Sequence, residues 1–171
     1  MIDVNQCDAE FIIDAKLILH VENSEIRYTI NRVPATRKHY EQHQVDYAAY
    51  MDDLYKAVFL AYVDGQIAGQ IILYKYWNNY AYIEDIAVDV KYRRMGVGRQ
   101  LMSQARLWAQ EHTLAGIMLE TQDNNVSACK FYESCGFRLR GFDTYLYKGL
   151  NRDIDEVALF WYMVFPPAPA G

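Results

Sequence analysis

Two glycines, one residue apart, punctuate the heptad Arg93-Arg94-Met95-Gly96-Val97-Gly98-Arg99, where a β-rich apolar run gives way to helical spacing. Glycine lets the backbone approach a ligand closely, and the unpaired amides and dipole of a helix N-terminus attract phosphate oxygens. The heptad reads as a seat for a pyrophosphate or, more plainly, as a glycine turn rimmed by solvated arginines. Two nucleotide signatures fail here. No Lys-Ser or Lys-Thr follows Gly98, as a P-loop needs, and Leu101 replaces the third glycine of the dinucleotide fingerprint. ATP and NAD both lose ground.

Other reactive residue types carry less. His39 and His43 lie four apart, but Glu41 falls one position late for the zinc-protease pattern, so surface histidines are expected and no metal. Cys7, Cys129 and Cys135 are an odd number with no adjacent histidine, which argues for reduced, inert thiols in a cytoplasm rather than for disulfides or an acyl nucleophile.

The elements that must position the heptad are legible around it. Val58–Val63 and Gln66–Tyr74 are β-rich runs about Asp64-Gly65, a dipeptide suited to a two-residue hairpin. After Trp77-Asn78-Asn79-Tyr80, the run 81–88 predicts a strand, and 93–112 a helix with Val97, Leu101, Ala105 and Trp108 on one face. Further expectations are a buried strand over 116–121, a short helix over 125–135, and late strands over 137–148 and 157–164. Upstream, 11–19 suits a strand, whereas 38–55 has only weak helical spacing. The class is mixed α/β.

A length of 171 residues with 52% hydrophobic residues suits one domain over 1–165, followed by a loose Pro/Ala tail, 166–171. The charged share of 23% speaks against a disordered chain. Net charge is -5, from 17 basic and 22 acidic residues, which disfavours nucleic acid and welcomes a cationic substrate. The acidic start is not a secretory signal, and no apolar run approaches a membrane span, so a cytoplasmic protein without a membrane partner is expected. A homodimer is compatible with the composition.

Arg93-x-x-Gly96-x-Gly98 after Ile86-Ala87-Val88 resembles the acyl-CoA pyrophosphate loop of the GNAT superfamily of N-acetyltransferases, and Asn125-x-x-Ala128-x-x-Phe131-Tyr132-x-x-x-Gly136-Phe137 resembles its second cofactor segment. Leu119-Glu120-Thr121-Gln122, Cys135-Gly136-Phe137, Gly141-Phe142-Asp143 and Trp161-Tyr162 are similar to one branch, the streptothricin acetyltransferases. The superfamily's usual N-terminal helices are poorly marked between Asn23 and Tyr55. The resemblance implies a mixed, mostly antiparallel sheet, splayed at the cofactor strands and flanked by helices. It also implies acetyl-CoA as cosubstrate, held by Ile86, Ala87, Val88, Arg93, Arg94, Met95, Gly96, Val97, Gly98, Arg99, Asn125 and Ala128. The branch implies acetylation of the β-lysine arm of streptothricin, and hence resistance; another amine, or a non-catalytic acyl-CoA sensor, is the alternative.

Direct transfer to an amine needs a proton acceptor, because presenting an alkylammonium neutral near pH 7.5 costs about 4 kcal/mol, from roughly three pKa units. Glu84 and Asp85 precede the turn, and strand alternation sends them to opposite faces. Glu84 shares its parity with Tyr80 and Tyr82 and is preferred as base, directly or through water, with Asp85 second. Tyr132 stands at the superfamily's general-acid position and would protonate the leaving thiolate. Trp77, Tyr80 and Tyr82, with Tyr145 and Tyr147, are candidates to wall a cationic substrate, and Asp85 is a further candidate to bind it.

Overall fold

The computed structural model describes residues 3–39, 50 and 52–166. In chain order its strands are β1 (Phe11–Glu22), β2 (Glu25–Lys38), β3 (Lys56–Val63), β4 (Gln66–Lys75), β5 (Ala81–Val88), β6 (Gly116–Gln122), β7 (Arg138–Asp143) and β8 (Ala158–Val164). The helices are α1 (Val97–Glu111) and α2 (Val126–Ser134), with single 3-10 turns at Val90–Tyr92 and Leu146–Gly149. The described residues fall into two compact units. The first lies within Met1–Glu10, His39–Met118 and Val164–Gly171, and the second within Phe11–Lys38 and Leu119–Met163.

In the first unit β3, β4 and β5 form an antiparallel meander. The β3–β4 hairpin turns on Asp64 and Gly65, both at positive φ (49° and 77°), the left-handed geometry that matches the twist of a two-residue turn. Ile71, Ile72 and Leu73 of β4 and Ala81 and Ile83 of β5 are almost fully buried. Helix α1 packs against β4 and β5 through Val97, Leu101, Met102, Ala105, Trp108 and Ala109, an apolar stripe of period 3.6. It begins at Val97; the residues from Arg93 to Gly96 expected in the helix form the turn before it.

One contact sets how close that helix comes. A Cβ built on Gly69 would lie 2.9 Å from the Ala87 carbonyl oxygen and 3.0 Å from Val97 Cγ1 and Leu101 Cδ1. Glycine in the middle of β4 thus lets the first turns of α1 lie directly over the strand.

In the second unit β1 and β2 make a hairpin turning on Asn23 and Ser24, with φ 51° and 62°. Strand β2 occupies a stretch where the resemblance led one to look for helices. The pairing skips from Ile13↔Thr36 to Ala15↔Arg32, and Pro34, which has no amide to donate, falls inside that irregularity. Strand β8 lies between β6 and β7. Trp161, Phe137, Leu119, Leu159 and Cys129 fill the core of this unit. The strand expected over 137–148 stops at Asp143, because its carboxylate accepts from the amides of Tyr145 and Leu146 and turns the chain. Most of the weakly helical segment 38–55 and the tail beyond Pro166 lie outside the described residues.

Candidate active site

The turn between β5 and α1 is built by its neighbours. Asp89 donates its amide to the Ala68 carbonyl, while its carboxylate accepts from the amides of Lys91 (2.9 Å) and Asp8 (3.1 Å). Burial opposes the ionisation of Asp89, but those amide donors and the charges of Lys91 and Arg93 outweigh it and hold the carboxyl below its ordinary range. Arg93 braces the loop, its Nε reaching the Val88 carbonyl and its Nη2 the Glu10 carbonyl at 2.7 Å. Arg94 and Gly96 take positive φ (63° and 86°), so the chain doubles back just before the helix. Gly96 offers no side-chain cap, and the first helical bond runs from the Gln100 amide to the Gly96 carbonyl. The helix therefore opens with amides that have no intrahelical acceptor, beside the exposed side chains of Arg94, Met95 and Arg99. Such a mouth suits an anion. Of the strand residues named with it, Ala87 is buried and Ile86 and Val88 are half-buried.

Glu84 lies on the adjoining strand at a β-bulge. Ile72 faces Asp85 and Leu73 faces Ile83, leaving Glu84 as the extra residue, and bulges of this kind re-aim a side chain. Its carboxylate is exposed and accepts a hydrogen bond from the Tyr50 hydroxyl. Rings flank it: Tyr82 lies 5.5 Å from Tyr74 and 5.2 Å from Tyr76, and Tyr76 is 6.0 Å from the exposed Trp77. Burial and then the Glu84 charge push the Tyr74 phenol upward. Tyr80, half-buried, closes the β4–β5 loop by accepting from the Tyr76 amide.

Asp85, paired with Ile72 on the far side of the bulge, has a different set of partners. Gln70, 2% exposed, donates to it at 2.6 Å and to Asn5 at 2.8 Å, and the Asn5 amide returns a bond to Gln70. Burial raises the Asp85 carboxyl. Its surroundings tie the N-terminal segment to the sheet rather than face the aromatic cluster.

In the second unit Asn125 caps α2, its side-chain oxygen accepting from the Ala128 amide at 3.2 Å. Tyr132 is 7% exposed, with the rings of Phe131, Phe137 and Trp161 within 5.7 to 6.5 Å of it. Burial pushes the Cys129 thiol up to about 12, so it carries no thiolate at neutral pH and makes a poor nucleophile. Tyr145 is exposed, whereas Tyr147 is buried and donates its hydroxyl to Glu120. Both belong to this unit. Glu120 was visible in the sequence only as part of a family signature; burial raises its carboxyl to about 7. Among the described residues there is no group of three metal-binding side chains and no helix long and apolar enough to cross a membrane.

A sequence profile described as the acetyltransferase (GNAT) family matches residues 21–137, well over half of the chain. The chain belongs to the GNAT acetyltransferase family. With the family goes its reaction, acetyl-CoA-dependent N-acetyl transfer, and its fold, a mixed sheet flanked by helices. Streptothricin acetyltransferase A of Bacillus subtilis (strain 168) is 40% identical over 166 residues, covering 96% of this chain and 95% of its own. A Bacillus anthracis str. Ames protein, provisionally named a streptothricin acetyltransferase and solved with acetyl coenzyme A, superposes with a TM-score of 0.89 at 50% identity, over 94% of this chain and 91% of that one. Nourseothricin acetyltransferase gives a TM-score of 0.80 at 30% identity, over 96% and 92%. Among GNAT proteins, then, similarity to streptothricin enzymes runs through nearly the whole chain.

Proposed function

We propose that this acetyltransferase moves the acetyl group of acetyl-CoA to a primary amine on the β-lysine arm of streptothricin and so confers resistance to that antibiotic. The observation that carries the reading is the 40% identity to a streptothricin acetyltransferase across 96% of the chain. The aromatic rings beside Glu84, Trp77 exposed and Tyr76 and Tyr82 half-buried, support it, since they suit a cationic acceptor.

When bound, acetyl-CoA supplies an acetyl thioester. The amides opening α1, with Arg94 and Arg99 at the rim, hold its pyrophosphate, while Arg93 keeps the loop in shape. The backbone of Ile86, Ala87 and Val88 runs beside the acyl arm, and an amide near Val88 polarises the carbonyl. Asn125 and Ala128, at the start of α2, are further candidates to hold the cosubstrate. Glu84 takes the proton of the acceptor ammonium, directly or through water, freeing the nitrogen lone pair to attack the carbonyl carbon. As the carbon–sulfur bond breaks, Tyr132 gives its phenolic proton to the departing thiolate. Trp77, Tyr80 and Tyr82 wall the acceptor; Asp85 supports the strand from behind. Three cysteines outside any disulfide and the use of acetyl-CoA suit the cytoplasm.

Mass spectrometry of streptothricin after incubation with enzyme and acetyl-CoA tests the proposal, and fragmentation locates the new acetyl group. The specificity constant is then compared with those for spermidine, an aminoglycoside and a lysine-containing peptide. A tenfold or greater advantage for any of the three would overturn the streptothricin assignment while leaving acetyl transfer intact.

A further inference from the structure

Residues 3–10, ahead of β1, form neither helix nor strand, yet they are tied along their length to the sheet and to the turn before α1. The Tyr62 hydroxyl donates to the Asp3 carboxylate at 2.7 Å. The Asn5 amide donates to the Gln70 side-chain oxygen at 2.6 Å, and Gln70 Nε2 returns a bond to Asn5 Oδ1 at 2.8 Å. Val4 and Cys7 are 7% and 4% exposed, so burial pins the segment between its polar ties. Its last residues hold the turn. The Asp8 amide donates to the Asp89 carboxylate at 3.1 Å, the Asp8 carbonyl accepts from the Val90 amide at 3.0 Å, and the Glu10 carbonyl accepts from Arg93 Nη2 at 2.7 Å.

These ties bear on acetyl-CoA because backbone amides grip a phosphate only when they converge on one place. Ordering a free backbone costs about 1–2 kcal/mol per residue, and a loop that its ligand must order loses that much affinity. The chain passes from β5 to α1 over residues 89–96, with Arg94 and Gly96 in the left-handed region. Asp89 is 8% exposed, and each of its carboxylate oxygens is occupied by an amide, Oδ1 by that of Lys91 at 2.9 Å and Oδ2 by that of Asp8. A carboxylate repels phosphate, so the part of Asp89 is to hold the loop and not to bind the ligand.

We infer that the N-terminal segment 3–10 is a strap that holds the turn before α1 ready for the pyrophosphate of acetyl-CoA, with Asp89 and Asn5 as positioning residues. The inference rests on the reading that this turn takes the pyrophosphate, and it extends the donor site to residues 81 to 83 positions away in the chain. The strap works by preorganisation: its bonds order the turn on folding, before the ligand arrives. Its other end is tied through Gln70 to Asp85, at 2.6 Å from the Gln70 amide. Asp85 is the neighbour of Glu84 on β5, so one segment joins the donor turn to the strand that carries the proposed base.

The test uses the full chain with two acetyl donors, acetyl-CoA and S-acetylpantetheine, which has the same thioester arm and no pyrophosphate. Asp89→Asn keeps the size of the side chain but replaces one of its two acceptors with a donor, which then faces an amide donor. Isothermal titration should show acetyl-CoA affinity falling about tenfold, while KM for S-acetylpantetheine stays within about twofold. A general disturbance of the fold would weaken both donors alike. Asn5→Gly tolerates the φ of 63° at this position and removes the side chain that Gln70 holds; it should weaken acetyl-CoA about threefold with the same selectivity. Unchanged acetyl-CoA affinity in a folded Asp89→Asn enzyme would overturn the inference, as would an equal loss toward both donors. If Asp89→Asn does not fold, Asn5→Gly decides by the same two criteria. A wild-type enzyme that binds acetyl-CoA no more tightly than S-acetylpantetheine would instead defeat the reading of the turn as a pyrophosphate site.

Discussion

The Tyr50 hydroxyl donates to Glu84 Oε2 at 2.5 Å, joining residues 34 positions apart on the carboxylate that the β5 bulge turns outward. A charge-assisted bond of this length holds the carboxylate in one orientation. Tyr50 therefore acts on Glu84 through orientation.

Glu84→Gln is expected to lower kcat by about a hundredfold or more near neutral pH, the range of a positioned base, without weakening acetyl-CoA binding. The deficit should shrink toward pH 9.5, as solvent supplies more of the neutral amine. Steady-state rates at both ends of that range check this; a constant deficit would assign Glu84 to positioning. Tyr50→Phe should cost less, about three- to tenfold, in line with loss of one hydrogen bond.

Gly98→Asp puts a side chain and a negative charge at the amides that open α1. Isothermal titration should show acetyl-CoA affinity falling at least about tenfold, or about 1.4 kcal/mol. Unchanged affinity in a folded variant would remove the turn from the binding site.

Gly69→Ala probes how α1 is seated. The new methyl group would meet the Ala87 carbonyl at 2.9 Å, a backbone atom that cannot swing aside. Overpacking of this kind costs about 1–3 kcal/mol, so urea unfolding should show a lower midpoint with little change in slope. Because the helix start must lift, acetyl-CoA should bind more weakly as well.

Glu120 should also leave a mark on stability. Its carboxyl is raised in the folded protein, so between the ordinary carboxylate range and about 7 the folded state binds the proton that the unfolded state has lost. Stability from this group is present at low pH and is lost as pH rises through that interval. Thermal unfolding should find Glu120→Gln more stable than wild type at pH 8, with the gap closing toward pH 5. A gap of the opposite sign would show that the charge is compensated in the free enzyme.

Short-range patterns made the centre of this protein legible from its sequence. Asp64-Gly65 marked a hairpin because few dipeptides tolerate two positive φ values, and Leu101, Ala105 and Trp108 marked α1 because a buried helix face repeats every 3.6 residues. The glycines of the heptad marked the turn, and Asn125 marked the start of α2, since caps and turns are chosen by residues close in the chain. Strand β2 escaped because it is mostly exposed and because the alternation of Ile26, Tyr28 and Ile30 with polar residues breaks off before Pro34. The rest was decided by the tertiary structure. The Glu10 carbonyl on the Arg93 guanidinium is 83 positions away in the chain, and the Gln70 side-chain amide on Asp85 is 15 positions away. Glu120 is an ordinary residue in the sequence; its raised carboxyl comes from burial, and the donor that orients it is 27 positions away. Desolvation and long-range hydrogen bonds depend on which segments meet, and local sequence spacing does not encode that.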